Sequence, residues 1–379
     1  MKPEENKKPK YEIITDDILT RIRNNDFSYD TVLCTEMQLA EAYGVSRITA
    51  KRALTDLEQR GILYRKRGVG SFVARNALNN LGKQPQPTTT SKIVSFLLPF
   101  DITKGNMFDT IKTVNETLND HGYLMSIYIS DVSPAKEKAN IRMLLSQNIS
   151  GLIYYPIRDN INLNLINELI FAKIPVIIID KHTDCPYIHN VTSDNFEGGR
   201  LLVEHLTSLG HKNIGFLTTA PAEETSTVRN RFGGYLQQLL AAGITPDPAN
   251  IICTPYEVTE EDIESPGSAF CDAIRKLYIN GVTAFLTEND RVAQLAILAC
   301  RKLNIRVPED ISICGFDDQV AAQENNITTI RQDFTAIGQR ISELMLSSMN
   351  GNPCMAQRIT VPVELVVRGS TGRPKQPLL

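Results

Sequence analysis

The sequence predicts a mixed α/β protein in which a small helical module with a β-hairpin precedes a larger α/β domain of two subdomains. Residues 35–73 contain two helical patterns across a tight turn, followed by two short β-prone runs. Residues 76–91 are polar and contain Pro, Gly and Thr, which is typical of a linker. From residue 92 onward, short apolar runs alternate with amphipathic stretches, the pattern of parallel sheets covered by helices.

The two parts of the chain differ in net charge, and this difference indicates which part binds nucleic acid. The 379 residues allow two or three domains, and 42% hydrophobic residues are ordinary for a globular protein. The net charge is −3, but residues 1–75 hold 14 Lys and Arg against 11 Asp and Glu, whereas the rest holds 26 against 32. The excess of cations therefore lies in the segment with the helical pair, where it favours nucleic acid as a partner.

Several patterns bear on the compartment and on cofactors. No apolar run reaches the roughly 18 residues that span a membrane, and the start MKPEENKKPK lacks an apolar signal core. Residues 1–9 are predicted to be a disordered tail. The seven cysteines are scattered without a CxxC pair, which favours reduced thiols in the cytoplasm. The ligand types between His182 and His189 match no usual zinc spacing, so neither a metal nor a cofactor is expected.

The N-terminal module begins with an amphipathic helix and continues with a capped helix pair. Isoleucines at four-residue spacing predict the first helix over residues 11–23. Thr35 and Gln38 have the spacing of a capping box at the start of the next helix, and Gly44 is suited to end it. Ser46 is a good N-cap for the third helix.

The third helix separates an apolar stripe from a polar face. Its core-facing stripe consists of Ala50, Leu54 and Leu57. Arg47 and Lys51 lie four residues apart on another face, with Thr49 near them. A helix that enters the DNA major groove by its N-terminal end needs such long donors together with short polar groups.

A basic hairpin follows this helix. Residues 62–64 and 71–73 are β-prone, and the turn between them contains three cations and two glycines, suited to phosphates or to the minor groove. Together these features predict a winged helix-turn-helix; the alternative is a solvated helical hairpin with a charged loop. The predicted DNA-binding residues are Thr35, Glu36, Ser46, Arg47, Thr49, Lys51, Arg65, Lys66, Arg67, Gly68 and Gly70.

Residues 10–75 resemble the DNA-binding domain of GntR-type bacterial transcription factors. The resemblance rests on Thr35-Glu36, Leu39-Ala40, Gly44-Val45-Ser46-Arg47, Ala53-Leu54, Leu57, Gly61 and Gly68-x-Gly70-Ser71-Phe72-Val73. The chain departs from that family at Met37, where an Arg contact is usual, and at Lys51, where Arg is common. Since Lys lacks the guanidinium fork, Arg47 is the stronger candidate for contacting a base.

The larger domain has polar residues directly after its predicted strands. Ligands of parallel sheets bind outside the carboxyl ends of the strands, which here are followed by Asp101, Asp180-Lys181, Asn289-Asp290 and Asp317-Asp318. Acids, amides and a cation suit a small polyhydroxy ligand. Helices are predicted near residues 106–120, 134–147, 161–172, 194–209, 226–242, 259–279, 290–303 and 334–349. A P-loop and the motifs GxSxG, HExxH and GxGxxG are all missing, which argues against an enzyme.

Residues 92–370 resemble the effector domain of lactose-repressor-family regulators, which is similar to periplasmic sugar-binding proteins. The motifs that carry the resemblance include residues 174–181, Asp194-Asn195, 209–214, Arg229-x-Arg231-x-Gly233-Gly234-Tyr235, Asn289-Asp290, 307–312, 315–318 and 328–332. It implies a domain over 92–379 with subdomains of about 92–192 with 334–350 and 193–331 with 351–379. It implies effector contacts at Asp180, Lys181, Arg231, Asn289, Asp317 and Gln332, with Asp101 and Phe108 from the segment near residues 100–108.

A GntR-type DNA-binding module joined to a lactose-repressor-type sensor resembles the bacterial arabinose repressors. The combination implies a homodimeric repressor of sugar-utilisation genes that binds operator DNA and responds to a sugar such as L-arabinose. A purine or a sugar phosphate is an alternative effector. A sugar-acting enzyme with an autoregulatory DNA-binding module, or a transport binding module, is an alternative class of protein. The operator sequence, and repression as against activation, are left open.

Overall fold

The computed structural model describes residues 9–24, 26–27, 29–30, 32–66, 70–75, 77, 92–101, 107–221, 225–254, 266–350 and 355–375. The chain divides between Thr90 and Ser91 into two compact units. Nearly all of the predicted tail and linker lies outside the described residues. The first unit holds the predicted DNA-binding module, and the second holds the predicted α/β domain.

The described residues of the first unit contain three helices and a small sheet. Its elements are α1 Lys10–Arg23, β1 Val32–Cys34, α2 Glu36–Ala42, α3 Arg47–Gln59, β2 Leu63–Lys66 and β3 Gly70–Val73. The strands form an antiparallel sheet in the order β1-β3-β2. The predicted capping box is confirmed, since the Gln38 amide donates to Thr35 Oγ1 and Gln38 Oε1 accepts from the Thr35 amide. Ser46 caps α3 by accepting from the Thr49 amide.

The core of the first unit is built from the stripes that the sequence predicts. Ile14, Ile18 and Ile22 of α1 pack with the apolar stripe of α3, and all of these side chains are at most 2% exposed. Burial of an aliphatic side chain contributes about 1.5–3 kcal/mol. This packing leaves the opposite face of α3 to the polar residues.

The first subdomain of the second unit is a six-stranded parallel sheet with helices on both faces. Its strand order is β14-β8-β7-β6-β4-β5, and every pair in it is parallel. The strands are β4 Ile93–Leu98, β5 Leu124–Ile129, β6 Gly151–Tyr154, β7 Val176–Ile179, β8 His189–Ser193 and β14 Arg358–Val361. The helices are α4 Met107–Asp120, α5 Pro134–Ser146, α6 Leu163–Phe171 and α12 Phe334–Met349. α4 and α12 pack on one face of the sheet, and α5 and α6 contribute to a separate apolar cluster.

The second subdomain is a four-stranded parallel sheet in the order β10-β9-β11-β12. Its strands are β9 Ile214–Thr218, β10 Ile251–Cys253, β11 Ala284–Thr287 and β12 Ser312–Cys314. The helices are α7 Asn195–Ser208, α8 Ser226–Ala241, α9 Ser268–Ile279, α10 Asp290–Lys302 and the short α11 Val320–Glu324. The helix predicted from residue 259 begins at Ser268, and residues 255–265 lie outside the described residues.

The chain crosses between the subdomains three times, and the third crossing corrects a predicted boundary. The sequence placed residues 351–379 wholly in the second subdomain. Instead, β14 pairs with β8 at the edge of the six-stranded sheet. Only afterwards does the chain return as β15 Val363–Val366, which pairs with β13 Thr329–Gln332 in a separate antiparallel ribbon. The pairing of β14 with β8 is non-local, so no local pattern predicts it.

Two glycines allow α7 and α8 to approach each other closely. A Cβ at Gly199 would overlap the carbonyl oxygen of Arg231, and a Cβ at Gly234 would overlap that of Phe196. The close approach fixes the part of α8 that carries Arg231 against α7. None of the helices in the described ranges is long and apolar enough to cross a membrane.

Candidate functional site

The N-terminal end of α3 presents the polar side chains that the sequence selected for DNA binding. Ser46 Oγ lies 2.8 Å from Thr49 Oγ1. The Arg47 side chain is 74% exposed, and Lys51 is also exposed. The backbone amides of the first turn point towards this end of α3, and a helix N-terminus favours a phosphate. The arrangement suits insertion of this end into a major groove.

Glu36 lies between two of the candidate DNA-binding arginines. Its Oε2 accepts from Arg47 Nε at 3.2 Å, and its Oε1 accepts from Arg65 Nη1 at 3.4 Å. Arg65 also donates to Thr55 Oγ1 at 2.8 Å, and its Nε lies 2.9 Å from Glu58 Oε2. Arg65 is therefore held against α3, whereas the Arg47 side chain contacts the Glu36 carboxylate and is otherwise largely in solvent. Glu36 positions the two arginines relative to each other.

The described part of the hairpin turn is tied to the loop before β1. Lys66 Nζ donates to Asp30 Oδ1 at 3.0 Å and lies 4.4 Å from the centre of the Phe72 ring. The Tyr64 hydroxyl donates to the same carboxylate oxygen. These contacts lower the pKa of Asp30, chiefly through the hydrogen bond from Tyr64. Arg67 and Gly68 lie outside the described residues, and Gly70 opens β3 with a φ of 142°.

Two exposed apolar side chains lie near the polar end of α3 and are not among the predicted DNA-binding residues. Ile48, in the first turn of α3, is 80% exposed, and Met37, in α2, is 72% exposed. Apolar groups contact the methyl group of thymine in the major groove. Ile48 lies outside the stripe formed by Ala50, Leu54 and Leu57. Its position in the sequence therefore indicates that this apolar side chain is exposed.

A cavity of about 670 Å³ lies between the two subdomains of the second unit. It is bordered by residues that follow strands of both sheets, as expected for parallel sheets. Polar lining residues are Asp180, Lys181, Thr225, Thr227, Arg231, Glu288, Asn289, Arg291, Asp317, Gln319 and Gln332. Apolar and aromatic lining residues include Phe100, Met107, Tyr155, Ile157, Val228 and Phe334. The volume is that of an ordinary small-molecule site.

Arg231 uses all three guanidinium nitrogens for hydrogen bonds in the cavity wall. Its Nε donates to Asn195 Oδ1 at 2.8 Å, its Nη1 donates to the Glu288 carbonyl, and its Nη2 donates to Asp317 Oδ1 at 3.3 Å. The guanidinium carbon lies 3.6 Å from the centre of the Phe316 ring. With 7% of the residue exposed, the fork is fixed in orientation before any ligand arrives.

Asp180 and Lys181 form an ion pair on the opposite side of the cavity. Lys181 Nζ lies 2.7 Å from Asp180 Oδ2 and donates to Thr227 Oγ1 at 3.3 Å, which joins the two subdomains. Burial opposes ionisation of Asp180, but Lys181, Arg231 and a hydrogen bond from Tyr155 outweigh it and lower its pKa. Asp180 has a φ of 64°, a left-handed conformation that is uncommon outside glycine and that marks many binding sites.

Asp317 is held by three side-chain donors. Gln332 Nε2 donates to its Oδ1 at 2.6 Å, Arg231 donates to the same oxygen, and Gln319 Nε2 donates to its Oδ2 at 3.3 Å. Burial nevertheless raises its pKa to about 6, since Arg231 only partly offsets it and Asp180 adds repulsion. Gln332 also accepts from Ser193 through Oε1. This network links the strand ends of both sheets.

The structure brings six of the eight predicted effector residues to the cavity. They are Asp180, Lys181, Arg231, Asn289, Asp317 and Gln332. Asn289 also caps α10 by accepting from the Val292 amide at 2.9 Å. Asp101 is exposed, Phe108 is 59% exposed, and neither of these described residues lines the cavity. Their neighbours Phe100 and Met107 line it instead, and Tyr155, Thr227 and Gln319 were not predicted.

Asp290 lies behind the cavity and is fully buried. Its carboxylate accepts from Thr329 Oγ1 at 2.5 Å and from the Gln319 amide at 2.8 Å. Burial, with repulsion from Asp317 and Asp318, raises its pKa to about 8. A folded chain with a raised carboxyl pKa binds a proton that the unfolded chain has released, so stability falls as the pH rises towards 8.

An Asp290→Asn variant should lose less stability than the wild type between about pH 6.5 and pH 8.5, a window above the titration of ordinary histidines. An amide can accept from Gln319 and donate to Thr329, so the packing is kept while the proton is made permanent. The expected difference in the pH-dependent loss is about 1–2 kcal/mol. Urea unfolding of the full chain, followed by near-ultraviolet circular dichroism, measures it. Parallel pH profiles for the two proteins would contradict the burial argument.

Each of the two units contains a segment that matches a known protein family. Residues 10–73 match the bacterial regulatory proteins of the gntR family, and residues 203–371 match the periplasmic binding protein-like domain. The chain is 28% identical to the arabinose metabolism transcriptional repressor of Geobacillus stearothermophilus, over 96% of this chain and 98% of that protein. It is 26% identical to the repressor of the same name from Halalkalibacterium halodurans, over 97% of each chain.

A solved structure shows the same fold for the second unit. It is a periplasmic binding protein/LacI transcriptional regulator from Alkaliphilus metalliredigens complexed with D-xylulofuranose. The two chains are 24% identical with a TM-score of 0.61, over 74% of this chain and 99% of the other. Residues 10–73 thus form a gntR-family helix-turn-helix domain, and residues 203–371 belong to a periplasmic binding protein-like domain.

Proposed function

We propose that the chain is a DNA-binding transcriptional repressor of sugar-utilisation genes whose operator affinity is controlled by a small neutral sugar. The observation that carries the proposal is the cavity between the subdomains, in which acids, amides and an arginine fork converge beside aromatic rings. The full-length similarity to two proteins named arabinose metabolism transcriptional repressor supports the regulatory role. L-Arabinose is therefore the first sugar to test.

The charge balance of the cavity favours a neutral sugar over a sugar acid or a sugar phosphate. Lys181 is paired with Asp180, and Arg231 is paired with Asp317. The Glu288 carboxylate accepts from the hydroxyl of Thr218 and from the Ala220 amide. With Glu288 and Arg291 included, the cavity lining holds three carboxylates and three cations. An anionic ligand at Lys181 or Arg231 would have to displace a carboxylate from its cation and leave it buried, which is costly. Hydroxyl groups can instead add to these pairs as both donors and acceptors.

The aromatic residues on the first subdomain supply the rest of a sugar site. The Phe100 and Tyr155 rings meet edge to face with their centres 5.3 Å apart, and both line the cavity. Tyr155 also hydrogen-bonds to Asp180, and burial together with that carboxylate raises its pKa well above the usual range, so its hydroxyl stays a donor. A monosaccharide presents C–H groups on its faces and hydroxyls at its edge, which matches this combination.

The protein acts on DNA, so we place it in the cytoplasm, and we expect it to be a homodimer. A dimer carries two winged modules and can contact two operator half-sites, as paired helix-turn-helix modules do. The relatives are regulators, so we assign the cavity to ligand sensing rather than to catalysis.

A thermal-shift screen of the full chain tests the nature of the effector. The panel contains L-arabinose and other neutral pentoses and hexoses, the matching sugar acids and sugar phosphates, and a purine. A ligand at 100 times its Kd adds about 2.7 kcal/mol of stability, which is readily visible as a shift. A response confined to neutral sugars supports the proposal. A response confined to phosphates, acids or purines would overturn the neutral-sugar assignment.

A further inference from the structure

Beside the cavity, the loop after β6 carries an aspartate that the function above does not use. Asp159 is not among the described residues that line the cavity. The loop is anchored from below by the fully buried Glu137, whose Oε1 accepts from the Ile157 amide at 2.9 Å and whose Oε2 accepts from Asn162 Nδ2 at 2.8 Å. These contacts hold the loop on both sides of Asp159.

The Asp159 carboxylate reaches across to the second subdomain. Its Oδ1 accepts from the Ser226 hydroxyl at 2.7 Å, and its Oδ2 accepts from Arg229 Nη2 at 3.0 Å. The His182 amide completes the cluster, since it lies within hydrogen-bonding distance of both Asp159 Oδ1 and Ser226 Oγ, at 3.1 Å and 2.8 Å. The Asp159 side chain is only 10% exposed and Ser226 only 3%. A carboxylate with several donors and little water forms strong hydrogen bonds.

These contacts lie on the elements that form the effector cavity. Ser226 and Arg229 belong to the first turn of α8, the helix that also carries Thr227 and Arg231. On the other subdomain, His182 directly follows the Asp180–Lys181 pair. Separation of the two subdomains at this edge would therefore break the Asp159 contacts and pull apart the two walls of the cavity together.

We propose that Asp159 is a positioning residue that latches the two subdomains beside the cavity and thereby sets the affinity for the effector without contacting it. This inference rests on the proposed function, in that the cavity binds an effector. A ligand that needs contacts from both walls binds the closed state, and its apparent Kd is its intrinsic Kd divided by the fraction of closed protein. The latch raises that fraction before the ligand arrives.

The test is an Asp159→Asn variant of the full chain. The amide keeps the size of the side chain but turns an NH2 group towards Ser226 or Arg229 and removes the charge. The Kd of the sugar selected by the thermal-shift screen should rise roughly tenfold, by isothermal titration calorimetry. Most of the rise should appear as a faster dissociation rate in stopped-flow measurements, since opening limits release. A melting curve without sugar establishes that the variant is folded.

Two further variants separate a latch from a general structural effect. Arg229→Gln should also raise the Kd. In the double variant with Asp159→Asn, the Kd should rise by less than the product of the two single effects, because both substitutions remove the same Asp159–Arg229 contact. Glu343→Gln removes the Arg340–Glu343 ion pair, which lies within one exposed helix face, and should leave the Kd unchanged.

The outcomes distinguish the latch from the proposed function. If the wild type binds a sugar and Asp159→Asn binds it with the same Kd and dissociation rate, the latch is wrong and the proposed function stands. Multiplicative effects of Asp159→Asn and Arg229→Gln would also overturn the latch. If the wild type binds no sugar, the proposed function fails, and the claim for effector affinity fails with it.

Discussion

Replacing Arg231 with Ala should abolish the response of operator binding to sugar at concentrations that saturate the wild type. The substitution removes three hydrogen bonds to Asn195, Glu288 and Asp317 together with the fork itself. It also leaves the Asp317 carboxylate buried without its cation. Breaking a buried ion pair by removing one partner costs about 3–5 kcal/mol of folding stability. The sugar separately loses its hydrogen bonds to a charged donor, which contribute about 1.5–3 kcal/mol each, so its Kd should rise by about two orders of magnitude.

The measurement is a calorimetric titration of the effector, with a melting curve to establish that the variant is folded. Arg231→Lys is the informative companion, because it keeps the charge but loses the planar fork, and it should bind the sugar more weakly than wild type but better than the alanine variant. Arg340→Ala removes an exposed arginine paired with Glu343 and serves as the control. Sugar binding by a folded Arg231→Ala protein with wild-type affinity would remove Arg231 from the effector site.

Replacing Arg47 with Ala should weaken operator binding by about 1–3 kcal/mol and relax the preference for one position of the operator. Arg47 lies in the first turn of α3, is 74% exposed, and is oriented by Glu36. A bidentate contact from Arg47 to the O6 and N7 atoms of one guanine would account for this loss, since other bases do not present that pair of acceptors. Binding of the variant to a set of operators with single base changes measures both effects.

The alternative role for Arg47 is a phosphate contact. In that case the loss would be equal across all operator sequences, and the slope of log affinity against log salt would fall by about 1. Lys51→Ala, which removes the other cation on this face, is the matched comparison and should show more of this uniform loss. A uniform loss for Arg47→Ala would contradict its assignment to base recognition.

The N-terminal module could be predicted closely because its boundaries depend on local chemistry. Thr35 with Gln38, and Ser46, satisfy backbone groups within three residues of themselves, so α2 and α3 begin where the sequence indicates. β1 was missed as a strand. It has only three residues, none of them fully buried, and it exists because β3 pairs with it from across the module.

The sequence predicts the alternating strands and helices of the α/β domain, but it does not predict where the chain crosses between the two subdomains. Buried strands such as β7, with the sequence VIII, are continuous apolar runs and were found. β8, with the sequence HNVTS, is equally internal in the sheet but polar, since its side chains have specific partners such as Ser193 with Gln332. The edge strand β14 alternates exposed polar residues with Ile359 and Val361, which pack on the core of the first subdomain, but this short pattern does not indicate which subdomain the strand joins.

Strand ends and family resemblance predict most of the candidate site. The prediction of Phe108 was wrong because the sequence does not show which face of α4 points into the cavity. Met107 and Phe108 are consecutive at the start of α4, and neighbouring helical residues point about 100° apart. Met107 is 6% exposed and lines the cavity, whereas Phe108 faces away from it. Tyr155 directly follows the apolar, buried strand β6, so its position in the sequence does not distinguish it from a core residue. Its role depends on Asp180, which is distant in the sequence.

The proposed sugar binding and operator binding are linked by a coupling free energy that can be measured. A sugar that changes operator affinity must have its own affinity changed by the operator to the same extent, because the coupling free energy is shared. Such couplings amount to about 1–3 kcal/mol, or a several-fold to hundredfold change in Kd. The coupling concerns the full chain, since neither unit alone contains both sites.

The most direct test is operator binding by the full chain with and without sugar. A duplex selected by the protein from a random DNA pool is labelled, and fluorescence anisotropy gives its Kd at one fixed salt concentration with L-arabinose or other neutral sugars. For a repressor released by its effector, we predict that a neutral sugar raises the operator Kd at least several-fold and that Arg231→Ala loses this response. An operator Kd that no neutral sugar changes would contradict the central claim.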